Sequence, residues 1–179
     1  MRGQARLGEE KISKLLMEFS IPAIIGMVVN TLYNIVDRMY IGNIKDIGGL
    51  ALTGVGITMP IMTIIMAFGM LIGIGTSARI SLKLGEHKRE EAEKHLGNAF
   101  TLIIIASVLI TIIGLVFMHK ILGLFGASAD TEIYAREYMQ IIFFGTIFNM
   151  LSFGLNHSIR SDGSPKVAML SMLIGAGTN

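Results

Sequence analysis

The side chains with the most chemical potential are a carboxylate and the polar stripe that leads to it. Asp37 closes a run, Phe19–Val36, in which no side chain is charged. Asn30, Tyr33, Asn34 and Asp37 recur at i, i+3, i+4 and i+7, so an α-helix carries them on one face. An acid at the end of an apolar helix resists ionising in low dielectric and couples readily to a cation. If the helix crosses a bilayer, that face turns into the helix bundle or a watery cavity, and the acid is a functional candidate. Asp37 is therefore the expected cation site, for a proton or a sodium ion. The plainer alternative is an interfacial acid paired with Arg38 or Lys45. Arg38 points about 100° away on an ideal helix and is a poor direct partner.

A second stripe comprises Tyr138, Gly145, Asn149, Ser152 and Asn156, again on one helical face. Hydrogen bonding between helices is its bland role. The sharper one is a cavity wall shared with the first stripe.

A membrane setting follows from where the charges are not. Hydrophobic residues make up 52% of the 179 and charged residues 16%. Four intervals lack any charged or His residue: Phe19–Val36, Ile47–Ala78, Leu96–Met118 and Tyr138–Asn156. Each approaches or exceeds the roughly 20 residues that span a hydrocarbon core. A fifth, Val167–Asn179, is still open where the sequence stops. The expected fold is an all-α polytopic membrane protein. A polar lead over 1–14 precedes spans at 15–41, 52–80, 93–119, 130–159 and 166–179, the last of them cut short. Pro22 is expected in the first turns of its helix and Pro60 at a kink. Gly48, Gly49, Gly54 and Gly56 suggest a loosely wound start to the second span. Gly69 and Gly73 form a small-xxx-small pair suited to close helix packing. Ser128 or Asp130 is expected to cap the fourth span.

Lys and Arg set the orientation. Eleven fall on the side of the N-terminus, the 79–95 connection and the 160–166 turn. The opposite side holds Arg38, Lys45, Lys120 and Arg136. The N-terminus is thus expected in the cytoplasm and the protein in the cell membrane. The basic residues are dispersed between apolar runs, which gives no surface for nucleic acid. With no cysteine there is neither a disulfide framework nor a thiolate metal site. His87, His95, His119 and His157 lack metal-ligand spacing, and no metal is expected beyond a possible Na+ at Asp37. Gly73-Ile74-Gly75-Thr76-Ser77-Ala78 matches a dinucleotide fingerprint on paper, but a membrane helix precedes it where a strand is required. No organic cofactor is expected.

Taken together, the motifs resemble those of the multidrug and toxic compound extrusion (MATE) transporters, in the multidrug/lipid/polysaccharide flippase superfamily. Phe19-Ser20-Ile21-Pro22 opens the first helix and Val36-Asp37-Arg38-Met39-Tyr40-Ile41-Gly42 closes it. Gly85 with Glu90-Glu91-Ala92 precedes the third, and Arg160-Ser161-Asp162-Gly163-Ser164-Pro165-Lys166 joins the fourth to the fifth. The resemblance implies the N-terminal four to five helices of a twelve-helix, two-lobe antiporter. Such a transporter exports cationic or amphipathic drugs against H+ or Na+ and is not an enzyme. It also implies Asp37 and Asn179 as cation ligands and Tyr138 as a family site residue, while the two stripes put Tyr33, Asn34, Asn30 and Asn149 around the same cavity. A further family acid would fall about four residues beyond Asn179, and the rest of the transporter would be the partner of this segment. Arg38 departs from the family, which more often has a small polar residue there. A lipid-linked-sugar flippase is the nearest rival, and would be expected to have a basic cavity. A small non-transporting structural membrane protein is the next. A membrane-embedded enzyme would need converging catalytic groups inside the spans, and only Asp37 qualifies.

Overall fold

The structure, a computed structural model, describes residues 11–177. Among the described residues six helices follow one another: α1 Ile12–Gly42, α2 Gly48–Gly85, α3 Arg89–Val116, α4 Met118–Leu124, α5 Ala129–Ser161 and α6 Pro165–Gly177. Among the described residues there is no strand. Helices α1, α2, α3 and α5 are long and apolar enough to cross a membrane, and α6 is a shorter apolar helix.

The apolar runs set where the helices lie, and small residues set how they pack. The most extensive contact is between α2 and α5. Lipid tails are as apolar as leucine, so close backbone approach, not water exclusion, holds such helices together. A Cβ on Gly73 would lie 2.5 Å from the carbonyl oxygen of Gly154, and one on Gly69 would lie 3.3 Å from the Cα of Met150. Both members of the small-xxx-small pair therefore sit at the crossing. Glycines 48, 49, 54 and 56 do not loosen α2, which is helical from Gly48 onward. Gly48 abuts the carbonyl of Gly42, and a Cβ on Gly54 would meet the Ala135 nitrogen at 3.0 Å. These two glycines serve close approach.

Around that seam, Ile61, Ile65, Ile103, Met139, Phe143 and Met150 form the buried core. Two buried hydroxyls bond within their own helices, Thr58 Oγ1 to the Val55 carbonyl at 2.7 Å and Thr146 Oγ1 to the Ile142 carbonyl at 3.0 Å. That satisfies a polar group for which lipid offers no partner. Thr111 Oγ1 instead donates to the Phe143 carbonyl at 2.9 Å and ties α3 to α5.

Element ends differ in places from the sequence expectation. Pro22 lies well inside α1 because that helix begins at Ile12, and it offers no N–H to the helical ladder. The third helix stops at Val116 rather than running to His119. Phe117 leaves helical geometry (φ −102°, ψ 13°), and the chain restarts as α4. Ser128 is the N-cap of α5, its backbone N–H donating to Thr131 Oγ1 at 3.0 Å. At the other end of the bundle Lys83 bridges Glu86 at 3.1 Å and Glu91 at 2.8 Å, while Lys88 pairs with Glu86 at 3.0 Å. These pairs staple the turn between α2 and α3, where His87 takes a positive φ of 58°.

Candidate functional site: the inner stripe of the first helix

Helix α1 packs chiefly on α6 and less on α2. Pro22 and Gly26 are its buried residues, and a Cβ on Gly26 would come 3.0 Å from the sulfur of Met172 on α6. The same stripe continues through Val29, Tyr33 and Asp37, all half-buried. The predicted polar face is thereby divided. Tyr33 and Asp37 turn inward, whereas Asn30 and Asn34 are exposed beside them. The Asn34 side-chain amide donates to the Asn30 carbonyl at 2.7 Å. A local bond of this kind leaves the amide with one donor already committed to the helix backbone.

Tyr138 on α5 is half-buried and lies within electrostatic range of Asp37, Tyr33 and Arg38. Asp37 also acts electrostatically on Tyr33. A carboxylate, a guanidinium and two phenols from two distant parts of the chain thus share one region. Asp37 is near the C-terminal end of α1, and Tyr138 is in the first third of α5. Arg38 is exposed. The carboxylate can bind or release a cation there, and each phenol can donate one hydrogen bond to it or to a ligand.

The remainder of the second stripe divides by depth. Gly145, Asn149 and Asn156 are half-buried and Ser152 is exposed. Asn156 sits at the far end and bonds between helices, its Nδ2 donating to the Ala168 carbonyl at 3.0 Å and to Ser171 Oγ at 3.3 Å. Arg160 Nε donates to Asn156 Oδ1 at 3.1 Å, so Asn156 links α5, α6 and the 160–166 turn. Asn149 lies between these ends, nearer Asn156 than Tyr138 in the helix. Asn179, expected as a second cation ligand, lies outside the described residues. Among the described residues no group of three His, Cys, Asp or Glu converges on a metal position.

Two surface cavities lie away from the Asp37 region. One of about 330 Å³ is bordered by Met17, Glu18, Ile21, Pro22 and Lys166. Another of about 370 Å³ is bordered by Leu115, Val116, Met118, His119, Arg136 and Gln140. The second is a feature that sequence reasoning missed. Arg136 entered it only as an orientation charge.

The chain is 31% identical over 173 residues to the multidrug export protein MepA of Staphylococcus haemolyticus, covering 96% of this chain and 37% of that protein. The chain thus spans little more than a third of the relative. Among solved structures it is similar to the MATE multidrug transporter DinF-BH in complex with R6G. That match has 43% identity and a TM-score of 0.87, over 96% of this chain and 38% of that one. An outward-facing multidrug resistance MATE transporter of the MOP superfamily superposes with a TM-score of 0.89 at 29% identity, over 99% of this chain and 38% of that one. The helices are those of a multi-pass membrane protein. The MatE family profile matches residues 22–179, and the chain belongs to the MatE family.

Proposed function

We propose that this chain forms the N-terminal part of a cation-coupled exporter of cationic or amphipathic drugs, with Asp37 as the coupling carboxylate. The observation that carries the reading is that Tyr138 on α5 lies within electrostatic range of Asp37 and Tyr33 on the half-buried stripe of α1. The drug-export names of the relatives support the same direction. Binding of H+ or Na+ neutralises Asp37 and favours one access state, and release favours the other. The coupling therefore rests on differential cation affinity between the two states. Tyr33 and Tyr138 line the cavity, Asn149 extends it along α5, and Asn30 and Asn34 form its exposed rim. Asn179 completes the cation site. The N-terminus lies in the cytoplasm, so Asp37 belongs to the outer half of the first span. The segments 1–14, 15–41, 52–80, 93–119, 130–159 and 166–179 serve as lead and spans, and the remaining partner is the rest of the transporter.

The test is drug resistance of cells expressing a full-length transporter that carries this segment. Asp37→Asn is expected to lower resistance to that of cells without the transporter while membrane insertion is unchanged. Wild-type resistance in that variant would remove Asp37 from the mechanism.

A further inference from the structure

The cavity bordered by α3, α4 and α5 has a composition unlike its surroundings. Arg136 and Gln140 stand one turn apart on its α5 wall, His119 belongs to α4, and Leu115, Val116 and Met118 supply apolar sides. It opens on the face of α5 that also carries Ile133, Ile141, Phe144 and Phe148, which are 58%, 73%, 72% and 74% exposed. Large apolar side chains that exposed on a spanning helix suit contact with lipid tails. Arg136 sits at the border of that apolar face.

Its depth is set by helix length. At about 1.5 Å per residue the 33 residues of α5 span about 50 Å. A hydrocarbon core of about 30 Å leaves about 10 Å of helix at each end. Arg136 is seven residues from the start of α5, hence about 10 Å along it. That is the edge of a hydrocarbon core centred on the helix and within a long side chain's reach of the lipid phosphates.

The charges nearby leave Arg136 available. Among the described residues it makes no ion pair or hydrogen bond. Glu132, one turn earlier, is in contact with His119 Nδ1. Glu137 follows Arg136 in sequence but does not border the cavity. Lys120 adds a second cation at this end, its Nζ 5.9 Å from the centre of the Phe117 ring. A guanidinium is permanently charged and presents five donors in a fork that suits phosphate oxygens. At this depth the complementary anion supplied by a bilayer is the phosphodiester of a phospholipid.

We propose that the cavity between α3, α4 and α5 holds the headgroup of a bilayer phospholipid, with Arg136 on the phosphate and Gln140 on a headgroup oxygen. The acyl chains then lie along Val116, Ile141 and Phe144. The proposal needs the membrane setting only and is independent of drug export.

The experiment is native mass spectrometry of the purified protein in mixed micelles containing dioleoylphosphatidylglycerol or dioleoylglycerol, which lacks the phosphate. The wild type is expected to retain the phosphatidylglycerol and not the dioleoylglycerol, and millimolar inorganic phosphate leaves the lipid bound. Arg136→Gln is expected to retain about tenfold less, the size of a lost charge-assisted hydrogen bond. Arg136→Lys falls between them, and Gln140→Leu lowers retention without touching the charge. Lys94→Gln, at the other end of the bundle, leaves it unchanged. Three results would each overturn the proposal: equal retention by the wild type and both the Arg136→Gln and Gln140→Leu variants, equal retention of dioleoylglycerol, or displacement by inorganic phosphate.

Discussion

Asp37 was legible in the sequence because a charge stands out at the end of a long apolar run. Which neighbours share its environment was not. Periodicity puts Asn30, Tyr33, Asn34 and Asp37 on one face, yet a helical face is wide. Only the packing of Pro22 and Gly26 on α6 decides that Tyr33 and Asp37 form the inward edge. The two halves of the stripe should therefore respond differently to substitution. Tyr138→Phe keeps the ring and removes one hydroxyl. In a full-length transporter it is expected to lower drug export about two- to tenfold, the range of one hydrogen bond. Asn34 is exposed and one of its amide donors is already satisfied on the Asn30 carbonyl, so Asn34→Ala is expected to change export by less than about twofold. Dye-efflux rates normalised to membrane content measure both. Arg136 was illegible for the opposite reason. A lone cation near a span end reads as a topology signal until the fold sets it at the border of a cavity.

At the level of elements, every long apolar interval proved to contain a helix, because length and hydropathy suffice for that. Helix ends and close contacts were less readable, since both depend on what packs opposite. Gly73 and Gly75 look alike in sequence and differ in the bundle. Gly73 meets the backbone of Gly154, whereas a Cβ on Gly75 would find nothing within 4 Å. Gly73→Ala is expected to destabilise the fold by about 1–3 kcal/mol through overpacking. Gly75→Ala is expected to be neutral or to stabilise by about 0.5–1 kcal/mol, as helix propensity dictates. Thermal unfolding in detergent separates the two. The turn between α2 and α3 carries a pH signature. Hydrogen bonds from Lys88 and then Lys83 hold the Glu86 carboxyl below its ordinary value of 4.5. A lowered folded-state pKa stabilises above the unfolded value, and that stabilisation is lost as pH falls through the folded value. Amide protection factors across Gly85–Lys88 should therefore be flat from neutrality to about pH 4.5 and decline below it. Glu86→Gln should weaken that dependence, the Glu91–Lys83 pair supplying the remainder.

At the scale of the whole molecule, the all-helical membrane class and the family were readable, since charge-free intervals and ordered motifs both survive without coordinates. The pairing of helices was not. The dominance of the α2–α5 contact depends on glycines meeting across a crossing, and no periodicity within one helix records that. Orientation rests on the distribution of Lys and Arg. The absence of cysteine from these 179 residues makes it directly measurable, because a single introduced thiol is then the only one within them. With the N-terminus in the cytoplasm, a membrane-impermeant maleimide should label Asn43→Cys in intact cells and leave Lys88→Cys unlabelled until the cells are opened. The most direct test of the central claim is proton- or sodium-driven transport of a fluorescent cationic dye in everted vesicles containing a full-length transporter with this segment. Replacing Asp37 with Asn is expected to abolish uptake driven by either gradient while Asp37→Glu retains part of it. Gradient-driven uptake at the wild-type rate by the Asn variant would contradict the assignment of Asp37 as the coupling carboxylate.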